Sequence, residues 1–357
     1  MADKKEIFDL LMNEAVEEGV FPGATALIVS NENTYAKAYG LKAQFPNEEE
    51  NDIDTLYDMA SCSKVVATTT SMMLLLEQGK LRLYDSVALY IPEFKYNNIT
   101  VFDLLTHSSG LPADVTKAYM IKSKEELMDR IFNMELKYET GMDIVYSDLG
   151  FILLGMIVEK ISGLTLDKFT KKYIFEPLEM NSTGYNPVDI MRCAPTENRN
   201  DDVLKAMIRG KVHDEKAYIM GGVAGHAGLF SCVNDLEKFI KMVLNNGIHN
   251  GKQFLSPATI DLMFTPMVKK TKGVSLDYDQ RGLGWIVRGD YPSSGDLASK
   301  QTIYHTGFTG TNIVIDRINK VGFTILSNRV HPTRANTKII PWRGRIGNFI
   351  IANFGSR

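Results

Sequence analysis

The chain has 357 residues, 44% hydrophobic and 23% charged, an ordinary globular composition that excludes disorder, collagen and coiled coil as whole-chain descriptions. Its 40 basic and 43 acidic side chains leave a net charge of −3, which offers nucleic acid no global basic surface. The longest apolar run, residues 149–158, is well short of the roughly 18 residues a membrane span needs.

The N-terminus, Met1-Ala2-Asp3-Lys4-Lys5-Glu6, leads into an amphipathic stretch without the apolar core of a secretion signal, so the sequence predicts a soluble, cytoplasmic protein. Residues 5–18 carry apolar side chains at helical spacing, and Gly19 closes that helix. Two strands follow, 24–29 and 34–39, joined at Asn31-Glu32-Asn33 as a hairpin. The acidic stretch 47–54 reads as loop. A helix is predicted over 62–78, with Ser61 at its start and Gly79 just past its end.

From there to about residue 250 the pattern is mostly helical. Thr100 and Asp103 have capping-box spacing before a short helix, and 149–161 is apolar nearly all round, as in a buried helix. Residues 235–245 form another helix, with Gly247 behind it. Strands return at 284–287, 302–304, 312–316 and 321–326, the last two joined by a turn at 317–320. The cluster Lys269-Lys270-Thr271-Lys272 reads as solvated loop, and 288–301 as a surface excursion. A closing helix is predicted from Pro341, in the first helical position, to Phe354.

Strands at both ends and helices between them imply an α/β (α+β) fold with a mainly antiparallel sheet flanked by helices. The expected organisation is a discontinuous α/β domain, 1–60 with 255–357, and an inserted helical domain, 61–254, with the active site at their interface.

Phosphate-loop, dinucleotide, H-E-x-x-H and G-x-S-x-G motifs are all absent. Six scattered histidines and three widely spaced cysteines, Cys62, Cys193 and Cys232, lack metal-ligand spacing, so no metal, cofactor or disulfide framework is expected. Three short patterns can carry chemistry. In Ser61-Cys62-Ser63-Lys64 the i, i+3 spacing lets Lys64 reach the Ser61 hydroxyl, which is a poor nucleophile until a neighbour takes its proton. Tyr146-Ser147-Asp148 stands directly before the buried helix, where a tyrosine near an ammonium can shuttle protons. His305-Thr306-Gly307 ends a strand, and its glycine lets a substrate approach the strand edge.

Taken singly, each pattern has a simpler structural reading: Ser61 as a helix cap with Lys64 on the surface, Ser147 or Asp148 as a cap, His305 as an ordinary strand residue. Cys62 reads as packing, and His226 as a hydrogen-bonded loop residue that could also line the pocket.

Together, and in this order, the three patterns resemble the serine β-lactamase-related family, which includes class C β-lactamases, penicillin-binding proteins, D-amino-acid peptidases and family VIII carboxylesterases. Further segments carry the resemblance over nearly the whole chain: Leu104-Leu105-Thr106-His107-Ser108-Ser109-Gly110-Leu111-Pro112, Gly221-Gly222-Val223-Ala224-Gly225-His226-Ala227-Gly228-Leu229-Phe230-Ser231 and Gly282-Leu283-Gly284-Trp285. The resemblance implies that Ser61 is the acylated nucleophile, Lys64 orients or deprotonates it, and Tyr146 is the general base. It implies that Asp148 contacts substrate or Lys64, that Thr306 and Gly307 line the substrate cleft, that His305 stands where many relatives have lysine, and that the N–H groups of Ser61 and Phe308 form an oxyanion hole.

Histidine in place of lysine, and Asp148 where relatives often have asparagine, are expected to make carboxylate binding weaker or pH-dependent. The resulting expectation is a cofactor-free serine hydrolase, foremost a carboxylesterase acting on a small-molecule acyl ester or amide. A D-amino-acid peptidase or weak β-lactamase is the alternative, and a non-catalytic binding or sensing protein of the same fold is the third reading. No nucleic acid or membrane partner is expected, and nothing in the sequence specifies an oligomeric state.

Overall fold

The computed structural model describes residues 3–31, 33–200, 205–269, 280–288 and 293–356. Glu32 of the first turn, Lys270 to Lys272 of the basic cluster and residues 289–292 of the predicted excursion lie outside these.

A nine-stranded sheet is the spine. Its strands are β1 (Gly23–Ser30), β2 (Thr34–Ala43), β3 (Glu49–Glu50), β4 (Val268–Lys269), β5 (Gln280–Arg281), β6 (Ile286–Arg288), β7 (Thr302–Thr306), β8 (Asn312–Asp316) and β9 (Val321–Ser327). They run in the order β4-β5-β6-β7-β8-β9-β1-β2-β3, every neighbouring pair antiparallel. The first and last parts of the chain meet where β1 pairs with β9, Ala24 opposite Ser327 and Ser30 opposite Val321.

Side chains alternate across a strand, and here both faces are buried. Ala24, Ala26 and Ile28 of β1 pack with helices α1 (Lys4–Glu17) and α6 (Ile339–Phe354) through Phe8, Met12, Ile346 and Ile350. Leu27 and Val29 face the opposite core, which holds α2 (Thr70–Glu77), α3 (Val101–Leu105), α4 (Asp148–Ser162) and α5 (Val233–Leu244). Each large aliphatic or Phe side chain buried this way contributes about 1.5–3 kcal/mol. The capping box of α3 is present: Thr100 Oγ1 accepts the Asp103 N–H, and the Asp103 carboxylate accepts the Thr100 N–H. Among the described residues, no single helix is long and apolar enough to cross a membrane.

Several elements differ from expectation. The acidic stretch 47–54 contains β3, paired to β2 across an irregular register. Residues 62–78 are not one α-helix: a 3₁₀ turn, Ala60–Cys62, precedes a π-helical stretch, Lys64–Thr69, and only then α2. Gly284 and Trp285 precede the strand rather than opening it. Gly284 has φ +77, and a Cβ there would lie 2.0 Å from Thr69 Oγ1. Pro341 is the third helical residue of α6, still among the first four whose N–H groups lack an intrahelical acceptor. The described part of the predicted excursion packs onto α6: Ser294 is buried, and Leu297 N–H donates to Asn348 Oδ1 at 3.0 Å.

Two glycines set how closely the 225–228 loop approaches α4. A Cβ on Gly225 would lie 2.0 Å from the Phe151 carbonyl oxygen, and one on Gly155 would lie 3.0 Å from the Gly225 Cα. Overpacking of this kind destabilises by about 1–3 kcal/mol. Gly225→Ala is expected to lower the unfolding free energy by that amount, measured by urea titration followed by circular dichroism, whereas Gly79→Ala, with nothing within 4 Å of its Cβ, is expected to show only the smaller penalty of its positive φ.

Candidate active site

Ser61 stands at a sharp change of direction. The short strand Tyr57–Asp58, paired with Leu229–Ser231, leads into Ala60, whose φ of +45 is left-handed backbone uncommon outside glycine. Asp58 holds this bend: its buried carboxylate accepts the N–H groups of Ala60 (2.8 Å) and His213 (2.7 Å). The Ala60 N–H is thus satisfied from Asp58, and Ser61 is not the helix cap that its position suggested.

The π-helical stretch carries Lys64 inward. All six of its residues are buried, and Thr70 Oγ1 donates to the Val65 carbonyl at 2.9 Å where the winding widens. Lys64 is 0% exposed. Its ammonium donates to Ser61 Oγ (3.1 Å), Asp148 Oδ1 (2.7 Å) and the His226 carbonyl (2.9 Å). An ammonium has three protons, and all three are committed. Burial favours neutral lysine, but Asp148 outweighs it and holds the Lys64 pKa above its ordinary value.

The segment 146–148 is presented by the start of α4. Ser147 caps the helix, its Oγ accepting the Gly150 N–H and donating to the Pro112 carbonyl at 2.7 Å. The Ser147 N–H donates to His107 Nδ1 at 3.1 Å. Burial keeps His107 neutral, as accepting that bond requires. Asp148 is the first residue of α4, where the helix dipole favours a carboxylate. Its Oδ1 meets Lys64, and its Oδ2 lies 3.3 Å from Lys216 Nζ. Burial alone would raise the Asp148 pKa; Lys64, His226 and Lys216 pull it below the ordinary value. Tyr146 is half-buried beside both, its ring 4.8 Å from Lys64 Nζ, and its buried hydroxyl has no hydrogen-bond partner. Burial outweighs the pull of Lys64, so its pKa is raised and the phenol is neutral at rest.

His305 lies on β7. Its Nδ1 is 2.9 Å from the Thr306 carbonyl, which can only accept, so Nδ1 carries the proton and Nε2 is a buried acceptor without a partner. Burial, with Lys64 and Arg281 nearby, lowers its pKa to about 3. His305 is therefore neutral throughout the physiological range. It does not supply the pH-switched positive charge expected from its sequence position. Cationic groups enter the cleft from residues that the motifs did not single out: Arg329, and Arg343 on α6.

The end of β7 is stitched to the bend before Ser61. Thr309 Oγ1 donates to the Asp58 carbonyl (2.7 Å) and Thr311 Oγ1 to the Met59 carbonyl (2.9 Å). A Cβ on Gly307 would lie 2.1 Å from Thr311 Oγ1 and 2.6 Å from the Met59 carbonyl oxygen, so only glycine fits here. Phe308 stands half exposed, stacked against His213 at 5.6 Å with the Arg329 guanidinium 4.4 Å from its ring.

Ser61, Tyr146, Asp148, His226, His305 and Phe308, with Thr306 and Gly307, line one cleft of about 740 Å³. A second hollow of about 440 Å³ near Tyr185 and Val188 gathers none of them. Cys62 faces away into the core, its thiol on the His305 carbonyl and its pKa pushed up to about 12 by burial. His226 does two things: its carbonyl accepts from Lys64, and its Nε2 lies 2.7 Å from Asp214 Oδ1.

The sequence reading missed Lys216. It is 2% exposed and within 3.3 Å of Asp114, Asp148 and Asp214 carboxylate oxygens. Asp148, Asp214 and His226 have ligand atoms close enough to hold a metal ion, but the ammoniums of Lys64 and Lys216 already supply positive charge to these carboxylates. No motif marks Lys216; only the fold brings it to Asp148.

A family model described as Beta-lactamase matches residues 8–344. The chain is 34% identical over 387 residues to the Escherichia coli (strain K12) protein named "Putative D-alanyl-D-alanine carboxypeptidase", covering 97% of this chain and 87% of that one. It is 33% identical over 351 residues to the N-acetylmuramyl-L-alanine amidase of Bacillus subtilis (strain 168), covering 87% and 78%. Among solved structures, EstCE1, a hydrolase with promiscuous acyltransferase activity, superposes with a TM-score of 0.79 at 19% identity over 98% of both chains. A class C β-lactamase gives 0.78 at 21% identity over 99% of this chain and 97% of that one. At these identities the structural likeness is one of fold.

The buried ion pair leads to a stability prediction. A carboxylate with a depressed pKa contributes stability above its unfolded-state pKa and loses it as pH falls through the folded value. Asp148→Ala leaves Lys64 buried without its counter-ion and is expected to cost about 3–5 kcal/mol near neutrality. In urea titrations the gap to wild type is expected to narrow as the pH drops below the ordinary carboxylate range.

Proposed function

The chain belongs to the β-lactamase family, and on that premise we propose that it is a serine hydrolase that forms an acyl-enzyme on Ser61 and cleaves small carboxylic esters. The observation that carries this reading is the Lys64 ammonium, held by Asp148 and His226, with its third proton on Ser61 Oγ at 3.1 Å and the ring of Tyr146, whose hydroxyl is unpartnered, 4.8 Å away.

In this reading the reactive form carries Tyr146 as phenolate, a minor species stabilised by Lys64. Ser61 Oγ gives its proton to the Tyr146 oxygen and bonds to the substrate carbonyl carbon. The carbonyl oxygen becomes an oxyanion facing the N–H groups of Ser61 and Phe308. When the C–O bond to the alcohol breaks, Tyr146 returns the proton to the departing oxygen. A water molecule then gives a proton to Tyr146, attacks the acyl carbon, and the acid leaves as Ser61 regains its proton. The neutral His305 and the carboxylate of Asp148 favour an acyl substrate without a negative charge beside them. An alcohol is also the easier leaving group.

A second reading, cleavage of a peptide bond next to a terminal carboxylate, is favoured by one specific feature. Arg329 and Arg343 line the cleft, and among the described residues they hydrogen-bond only to backbone carbonyls, so their charge is not neutralised by a bonded carboxylate. The name of the E. coli relative points the same way, and that of the B. subtilis relative points to an amide rather than an ester.

Hydrolysis of p-nitrophenyl butyrate by wild type, Ser61→Ala and Tyr146→Phe, beside release of D-alanine from an acyl-D-Ala-D-Ala peptide, separates the two readings. Ser61→Ala is expected to abolish turnover, and Tyr146→Phe to lower kcat by about 10²–10⁴. Turnover of the ester that survives Ser61→Ala would contradict both readings. Preferential turnover of the peptide would select the second.

The raised pKa of Tyr146 sets a pH dependence. The base is the deprotonated form, so kcat/KM is expected to rise about tenfold per pH unit from pH ~6 to ~9, the slope of a single deprotonation. Asp148 opposes the phenolate charge, so Asp148→Asn is expected to shift the rising limb to lower pH. His305 titrates far below this range, so His305→Phe is expected to leave the position of the limb unchanged.

A further inference from the structure

The residue that gives the oxyanion site its second N–H, Phe308, is gripped from both sides. Arg343 Nη2 donates to the Gly307 carbonyl at 2.8 Å and to the Thr311 carbonyl at 3.1 Å. Arg329 Nε donates to the Phe308 carbonyl at 2.8 Å. Backbone N–H groups share both carbonyls that Arg343 holds, Gly310 N–H on Gly307 at 3.2 Å and Gly307 N–H on Thr311 at 2.8 Å, so the guanidiniums brace a hydrogen-bonded turn.

The Gly307 carbonyl and the Phe308 N–H belong to one peptide unit. That peptide is trans, so the two groups point in opposite directions. Whatever fixes the carbonyl also fixes the direction of the N–H. The Phe308 N–H itself donates to no group among the described residues. Gly307 lies against the backbone immediately before Ser61, where a Cβ would be 2.6 Å from the Met59 carbonyl oxygen and 3.3 Å from Ala60 Cβ. Both bonds leave one nitrogen, Nη2, whose two N–H groups are held at a fixed angle in the guanidinium plane.

We propose that Arg343 is a positioning residue: by holding the Gly307 and Thr311 carbonyls on the α6 side of the strand, it turns the Phe308 N–H toward the carbonyl oxygen of a substrate on Ser61. This inference rests on the acyl-enzyme reading above. It differs from a carboxylate-binding role for the same arginine, which would act on substrate affinity rather than on the transition state.

The test compares wild type with Arg343→Met, Arg343→Lys and Arg329→Met on two esters, p-nitrophenyl butyrate and mono-p-nitrophenyl glutarate, the second bearing a carboxylate. Inhibition by phenylboronic acid, which forms a tetrahedral adduct on an active-site serine, reports the oxyanion site directly. Losing one oxyanion donor typically costs about 10²–10³ in rate, and a misdirected donor is expected to cost part of that, about 10–100-fold in kcat. The loss is expected on both esters, with KM within about twofold and phenylboronic acid weakened by a similar factor. Arg343→Lys is expected to lose less than Arg343→Met, because a lysine keeps the charge and can donate to a carbonyl but lacks the fixed guanidinium plane. Arg329→Met is expected to show a smaller loss of the same pattern. Should Arg343→Met fail to fold, Arg343→Lys decides by the same criterion.

A KM increase confined to the glutarate ester, with kcat and boronate affinity unchanged, would overturn the proposal and assign Arg343 to substrate binding. Unchanged kcat, KM and boronate affinity would overturn it outright. Turnover that survives Ser61→Ala would overturn the acyl-enzyme reading and the proposal with it; absence of turnover of either ester would overturn the ester reading alone, and the same kcat and boronate comparison is then made on the acyl-D-Ala-D-Ala peptide.

Discussion

A fully buried ammonium is the constraint on which the site depends. Lys64 has no access to water, and an unpaired charge in that position would be destabilising by several kcal/mol. Each of its three protons requires an acceptor, and three separate parts of the chain deliver one. The bend before the π-helical stretch supplies Ser61, the start of α4 supplies Asp148, and the glycine-rich loop supplies the His226 carbonyl. Much of the local architecture follows from meeting these demands. The Gly155–Gly225 contact brings the loop within reach, and His107 and Ser147 fix the helix start that carries Asp148. Lys216 extends the same logic outward, joining Asp148 to Asp114 and Asp214.

The other half of the site is built from backbone. Thr309 and Thr311 tie the end of β7 to the bend at Asp58 and Met59, and Gly307 permits an approach that no side chain would allow. Chemistry and electrostatics are thereby divided between two walls of the cleft. The ionic groups gather around Lys64, while the strand side presents a neutral histidine, an exposed aromatic ring and guanidiniums bound to carbonyls. This arrangement separates the charges gathered around Lys64 and Ser61 from the guanidiniums on the strand side.

The sheet and its hairpins were legible because period-two alternation and turn residues are local signals: 312–316 is predicted and observed with the same bounds, and 321–326 differs only at its end. The capping box at Thr100 and the buried helix after Ser147 were legible for the same reason. Ser61, Lys64 and Tyr146 could be singled out because their spacing is short and ordered along the chain. Other features were hidden by physics that the local sequence does not express. The π winding after Ser61 depends on burial of the whole stretch and on Thr70 bonding back to Val65. The neutrality of His305 depends on desolvation and on Lys64 across the cleft. Lys216 carries no motif, and its partners lie 102 and 68 residues away at Asp114 and Asp148 as well as next door at Asp214.

The most direct measurement is to trap the covalent intermediate. Wild-type protein would be mixed with a slowly hydrolysed acyl ester, quenched in acid within milliseconds to seconds, digested and mapped by mass spectrometry. The account predicts a single acyl adduct on the peptide containing Ser61, formed at the rate of alcohol release and absent from Ser61→Ala. An adduct on another residue, or turnover without any adduct at every quench time, would contradict it.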